Sequence, residues 1–287
     1  MHGYLYALLS DLFFSSSFVI QKKYQQKADT SIRNGLIFNI ISSAVLSITL
    51  FVICGFHPQI TVYSFVSAFL QALVVFVYTA ISFYIMKSGG LSLYTLFLMS
   101  GGMIVPFIWG AVSLGETISF LRIAGIILIT ASMIYVASGT EKARLGIALL
   151  CAVVFLVNGM SSVLSKLHQT QIRHAVVNEY SYMFWSGVFR FVMSLALLPF
   201  AREKSSKKSI GFSSFAIVIA SAASGGLASY FNLMGASSLP AMVLYPLVTG
   251  GTIVLSFVFE AVVFKEKITP KKLLPILICF IGTCMFV

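Results

Sequence analysis

Two stretches decide the fold: LMSGGMIVPFIWGAVSLGETIS at 98–119 and LVTGGTIVLSFVFEAVVFKEKIT at 247–269. Each carries an apolar run long enough to cross a bilayer, which takes roughly twenty residues at 1.5 Å of rise apiece. Each run ends in a short polar turn that holds a glutamate. Laid over one another at a constant offset, Gly101 meets Gly251, Glu116 meets Glu266 and Ile118 meets Ile268. The same offset pairs Ser64-Phe65 with Ser214-Phe215, and a slightly shorter one pairs Gly3 with Gly146 and Lys23 with Lys166. The pattern is that of a duplication, 1–143 and 144–287, whose halves together form one transmembrane domain.

Ten such apolar stretches occur, approximately 4–22, 33–54, 62–86, 91–113, 119–138, 146–166, 178–199, 211–236, 240–263 and 270–287. Of the 287 residues, 59% are hydrophobic and 9% charged, and the mean hydropathy is +0.98. A water-soluble chain carries about a quarter charged residues, so a soluble domain is excluded. A membrane barrel would alternate polar and apolar residues in segments of about ten, and these runs are continuous. The expected fold is an all-α integral membrane protein of ten helices in two five-helix repeats. Because five is odd, the second repeat enters the membrane inverted with respect to the first.

The net charge of +11 marks orientation. The loops after the odd-numbered spans carry Lys22, Lys23, Lys27 and Arg33; Lys87; Lys142 and Arg144; Arg202, Lys204, Lys207 and Lys208; and Lys265, Lys267, Lys271 and Lys272. The opposite side has Arg122, Lys166 and Arg173, together with all four histidines, His2, His57, His168 and His174. Short loops rich in Lys and Arg stay cytoplasmic, so both termini are expected outside, in a bacterial plasma (inner) membrane. No basic face is interleaved with aromatics, which argues against nucleic acid as a partner. Cys54, Cys151, Cys279 and Cys284 lie in or beside apolar runs without ligand spacing, so neither a disulfide framework nor a metal site is expected. The N-terminus has no basic leader, and Asp11 interrupts its apolar run. It reads as a retained first span.

The residues also carry a resemblance. Leu114-Gly115-Glu116-Thr117-Ile118-Ser119 followed by Gly125, and Phe264-Lys265-Glu266-Lys267-Ile268-Thr269 followed by Gly282, resemble the end of each repeat in ten-helix transporters of the drug/metabolite superfamily, EamA type. Ser15-Ser16-Ser17-Phe18-Val19-Ile20-Gln21-Lys22, and Gly159 leading to Lys166, resemble that family's first helix in each repeat. Phe184-Trp185-Ser186-Gly187-Val188-Phe189-Arg190-Phe191 is similar to its arginine-bearing second helix, with Asn39 at the arginine's place in the first half. The chain departs from the pattern where lysine replaces glycine before Glu266. The resemblance implies a secondary carrier of amino acids, related organic solutes or drugs.

Ionisable groups inside a bilayer are costly and mark function by default. Asp11, with Ser15 one turn on along the same face, is the sharpest of them; the superfamily's four-helix members carry an essential glutamate in a similar place, so the resemblance implies a proton-exchanging carboxylate. Glu260 lies in the ninth span on a stripe with Gly250, Ile253 and Phe257, and is the second candidate for proton coupling. Arg190 lies in the seventh. Opposite charges in a membrane pair, so a Glu260–Arg190 or Asp11–Arg190 bridge is expected, with reception of a substrate carboxylate or phosphate by Arg190 as the alternative. Glu179 reads as interfacial. Glu116 and Glu266 read as structural carboxylates at helix N-termini, complementing the helix dipole. Asn39, Gln71, Tyr78, Tyr94, Asn158, Tyr230, Asn232 and Tyr245 complete the pathway candidates.

The expected function is movement of a small metabolite by alternating access, outward, with proton coupling open. A nucleotide-sugar or sugar-phosphate exchanger, a lipid-linked sugar flippase and a non-transporting receptor or scaffold are the rivals. The chain has no Walker A pattern, HExxH or GxSxG, so no catalytic residue and no cofactor are expected. The expected partners are a small solute and the lipid bilayer, with the chain a monomer or a homodimer.

Overall fold

The computed structural model describes residues 2–27, 32–114, 119–139, 145–169, 173–201, 212–239, 241–265 and 269–285. These are helical almost throughout: α1 (His2–Lys27), α2 (Ile32–Ile53), α3 (Val62–Leu114), α4 (Phe120–Gly139), α5 (Leu145–Gln169), α6 (Glu179–Leu197) followed by a 3-10 turn (Leu198–Phe200), α7 (Phe212–Ser238), α8 (Ala241–Phe264) and α9 (Pro270–Cys284). No strand occurs among them. With no water in the hydrocarbon to serve unpaired amides, helices are what such apolar runs form.

Eight segments are long and apolar enough to cross a membrane: His2–Lys27, Arg33–Ile53, Val62–Met86, Leu91–Ser113, Gly146–His168, Glu179–Phe200, Ser214–Asn232 and Leu244–Phe264. Their outward faces are apolar, with Leu8, Val62, Val112, Val262 and Phe200 among the exposed side chains. The chain is a helical integral membrane protein. The fifth and tenth expected spans fall on shorter elements. α4, Phe120–Gly139, has 20 residues and contains the apolar stretch Phe120–Tyr135, and α9 opens on Pro270-Lys271-Lys272 and has 15 residues, about 22 Å of rise.

α3 runs for 53 residues, which as a straight rod would extend about 80 Å, far beyond a bilayer's hydrocarbon. It folds back instead. The Tyr94 side chain is hydrogen-bonded to Ser82, and it lies beside Tyr78; on a straight helix Ser82 and Tyr94 would be about 18 Å apart. Residues 87–90, which include Gly89-Gly90, separate the two arms Val62–Met86 and Leu91–Ser113.

Packing follows small and hydroxylated residues, which let helices approach closely in lipid. α1 lies along α7 on a serine ladder: Ser10 Oγ donates to the Ala228 carbonyl (3.1 Å), Ser17 Oγ to Ser221 O (2.9 Å), Ser221 Oγ to Ser17 O (3.0 Å) and Ser224 Oγ to Phe13 O (2.8 Å). α1 also packs on α8, α5 on α3, α2 on α6, and α4 on α9. The second arm of α3 meets α5 backbone to backbone. A methyl group at Gly101 would overlap the Phe155 carbonyl, and one at Gly159 would overlap Val105. Gly101→Ala is therefore expected to lower stability by about 1–3 kcal/mol, the range for overpacking a filled contact. Thermal unfolding of the purified protein in detergent would check it, and an unchanged Tm would contradict the close crossing.

Candidate functional site

The polar groups expected to act together are divided by the structure between two places. The first is a buried knot where α1, α8 and the hairpin of α3 converge. Glu260, 4% exposed, accepts from Lys22 Nζ (2.5 Å), from the Leu91 and Ser92 amides (2.8 and 3.0 Å) and from the Ser92 hydroxyl. The carboxylate thus caps the first turn of α3's returning arm while it neutralises a lysine. Both roles suit an anion at a helix N-terminus. Lys22 Nζ also sits 4.6 Å from the centre of the Phe264 ring. Around this pair Gln21 Nε2 donates to Ser82 Oγ (2.8 Å), Gln25 donates to the Phe83 carbonyl, and Tyr24 packs against Phe38 and Phe83. Tyr94, set edge-on to Phe18 at 5.9 Å, covers the knot from the interior side.

Two expectations are corrected here. Lys22 is not a loop residue marking orientation; it is 5% exposed and paired in the membrane domain. Arg190 bridges neither Glu260 nor Asp11. It stands on α6, which packs on α2 and α3 rather than on α1 or α8, so Lys22 reaches Glu260 first.

Asp11 belongs to the α1–α8 contact. It is 2% exposed, and Thr252 Oγ1 donates to its Oδ1 (3.1 Å). Ser15, one turn on along the same face as expected, donates to the Thr252 carbonyl (3.1 Å). Gly251 leaves room for the carboxylate, since a methyl group there would overlap it.

The second place lies inside the bundle, where Arg190 on α6 faces Tyr78 on the first arm of α3 closely enough to interact electrostatically. Both side chains are half-buried. The Arg190 Nε is buried and has no hydrogen-bond partner. Towards the Glu179 end of the helices, Glu179 in the first turn of α6 comes within electrostatic reach of Tyr245 on α8, which is 43% exposed. α6 packs chiefly on α2 and α3, and α8 on α1, α3 and α9.

The remaining candidates scatter. Asn39, 1% exposed, has a buried Nδ2 without a partner. Gln71 Nε2 donates to Ser161 Oγ (2.6 Å), and Asn158 Nδ2 donates to the Leu98 carbonyl (2.6 Å); both tie α3 to α5. Asn232 is half-buried with an unpartnered Oδ1. Tyr230, expected inside, is 42% exposed, and its ring stacks edgewise on Phe231. Glu116 and Glu266 lie outside the described residues, as do the basic residues at 142, 144, 202–208 and 267.

Sequence reasoning missed Lys22, Gln21, Ser92 and Thr252 as site residues, and also His168. That histidine is 1% exposed, contacts Ser64 Oγ (2.8 Å) and stacks on Tyr182 with ring centres 4.0 Å apart, joining α3, α5 and α6 at the Glu179 end. The available signal for Lys22 was its position, one residue after an apolar run yet followed by a further turn of Gln and Tyr.

Removing one partner from a buried pair leaves the other charge uncompensated, at about 3–5 kcal/mol. Glu260→Ala is expected to lose that much stability, and the double variant Lys22→Met, Glu260→Met to recover most of it. Unfolding of the three proteins in parallel would check this, and a double variant as weak as the single one would refute pairing as the cause.

No family model and no curated protein matches the chain. Among solved structures, one described only as a crystal structure of a protein is 14% identical over 99% of this chain and 96% of its own length, with a TM-score of 0.68. At that identity the likeness is one of fold alone, and it extends over the whole helical arrangement.

Proposed function

We propose that this protein is a secondary carrier that moves a small organic solute across the membrane by alternating access between two inverted five-helix halves. The observation that carries the reading is reciprocal packing. The first helix of the first half, α1, lies on α7 and α8 of the second; the first helix of the second half, α5, lies on the two arms of α3 of the first. The two crossings use equivalent glycines: Gly251 against Asp11, and Gly101 against Phe155. Halves that are exchangeable in this way have two equivalent packings, which is the physical basis of alternating access in inverted-repeat carriers.

Within this reading the knot at Lys22 and Glu260 is the closed end, and solute reaches Arg190 and Tyr78 from the Glu179 end. With the basic loops in the cytoplasm the closed end faces inward, both termini lie outside, and transport is directed outward. Asp11, held between two helices that would separate, is the coupling carboxylate. The same reading includes membership of the drug/metabolite transporter superfamily, EamA type, on the motifs quoted above, and excludes catalysis.

Liposomes reconstituted with the purified protein and loaded with a panel of radiolabelled amino acids, amines, sugar phosphates and organic acids are expected to release at least one of them faster than empty liposomes. Release is expected to accelerate under an inward proton gradient. Asp11→Asn is expected to abolish the gradient's effect while leaving exchange between internal and external solute. No flux of any solute would sink the carrier reading. A C-terminal tag on intact cells is expected to be reached by an impermeant antibody, and a tag reached only after permeabilisation would reverse the orientation.

A further inference from the structure

Arg190 is 11 residues into the 22-residue apolar segment Glu179–Phe200, so about 17 Å of helix separates it from the start of α6 at Glu179. A guanidinium at that depth is expected to be paired, because an unpaired charge in a low-dielectric interior is strongly unfavourable. Here it is not. Its Nε is buried without a partner, and among the described residues no hydrogen bond or ion pair is formed by the Arg190 side chain. The two intramembrane carboxylates that could have neutralised it are committed elsewhere, Asp11 to Thr252 and Glu260 to Lys22 and the α3 amides.

The Tyr78 hydroxyl, on the first arm of α3, comes within electrostatic reach of Arg190. A second unsatisfied donor lies along the neighbouring helix. α2 and α6 run antiparallel, with Cys54 beside Ser181 and Ser47 beside Gly187. Arg190 therefore lies one turn beyond that last crossing, in the direction in which Asn39, two turns along α2, presents its unpartnered Nδ2. A cation left without an acceptor, with a phenol within electrostatic reach, is a pair that an oxyanion completes. Arg offers a planar fork for the two oxygens of a carboxylate or phosphate, and Tyr adds a third donor.

We propose that Arg190, with Tyr78, is the recognition point for an oxyanion group, carboxylate or phosphate, so that the transported solute is an anion or a zwitterion and not an amine or a neutral drug. This rests on the carrier reading and narrows it. The Lys22 ammonium is excluded from the role by its bond to Glu260, Lys166 lies in the last turn of α5, and Arg173 lies in the connection between α5 and α6.

The test separates the two readings by measuring binding without flux. Wild-type protein, Arg190→Lys and Arg190→Met, each in nanodiscs of uncharged lipid, are titrated with glycine, succinate, glycerol 3-phosphate, inorganic phosphate and putrescine, and unfolding is followed for each. The expected result is stabilisation of the wild type by at least one of the first four and none by putrescine. Affinity should fall at least tenfold in Arg190→Met, with a smaller loss in Arg190→Lys, which keeps the charge but not the fork. In the absence of any solute, Arg190→Met should have a Tm equal to or above that of wild type, because removing an uncompensated charge relieves the bundle. A markedly lower Tm of ligand-free Arg190→Met would mean that Arg190 has a structural role, and would overturn the proposal. So would a response to putrescine alone, an oxyanion response unchanged in Arg190→Met, or no response of the wild type to any of the four oxyanions. Arg190-dependent binding without flux in the liposome assay would retain the oxyanion site and remove the carrier. Flux of amines that is insensitive to Arg190→Met would do the reverse.

Discussion

One carboxylate holds the Lys22 end of this molecule together. Glu260 takes a proton donor from α1, two backbone amides and a hydroxyl from the turn of α3, and itself belongs to α8. The amides matter as much as the lysine. A helix that begins inside a membrane domain exposes its first N–H groups, and no water is at hand to take them. By accepting at Leu91 and Ser92, Glu260 lets α3 reverse direction below the interface, and the reversal in turn lays Tyr94 against Ser82 and Phe18. Remove the anion and three helices lose their common contact, with a lysine and a helix terminus stranded in the same place.

The architecture was largely legible because the bilayer imposes a length rule with little freedom. Eight of the ten apolar stretches coincide with helical segments long and apolar enough to cross a membrane, and the break between 86 and 91 was visible as Lys87-Ser88-Gly89-Gly90 even though the helix bridges it. Proline and basic residues shortened α9 below a full crossing, which counting apolar residues to the end of the chain had hidden. Asp11 and Ser15 were legible as one face of α1, and the glycine pair at 250 and 251 as a place of close approach. The structure joins the two facts: Gly251 is the space that Asp11 fills.

The pairing of charges was not legible, and the reason is geometrical. Sequence gives the depth of a charged residue along its own helix and nothing about which helices are neighbours. Arg190 and Glu260 are both mid-span, so neutralising one with the other was economical. Yet α6 packs chiefly on α2 and α3, and Lys22, apparently at the end of its span, lies on a helix that continues to Lys27 and faces α8. The same limit applies to Tyr230, whose polar group suggested an interior position and whose helix face is exposed.

The capping of α3 by Glu260 has a further consequence for how evenly the two ends of the bundle are balanced. In the overlay of the two halves, the residue equivalent to Glu260 is Gly110, so one copy of the duplicated helix has a carboxylate where the other has only a hydrogen. An ion pair with helix amides can thus form at one end and has no counterpart at the other. In the carrier proposed above, two packings related by the pseudo-two-fold of the halves would have equal free energy only if the halves were identical, and Glu260 against Gly110 is one of the differences that would make them unequal. On that reading one side chain would give the scaffold a resting preference, with a downhill and an uphill half to its cycle.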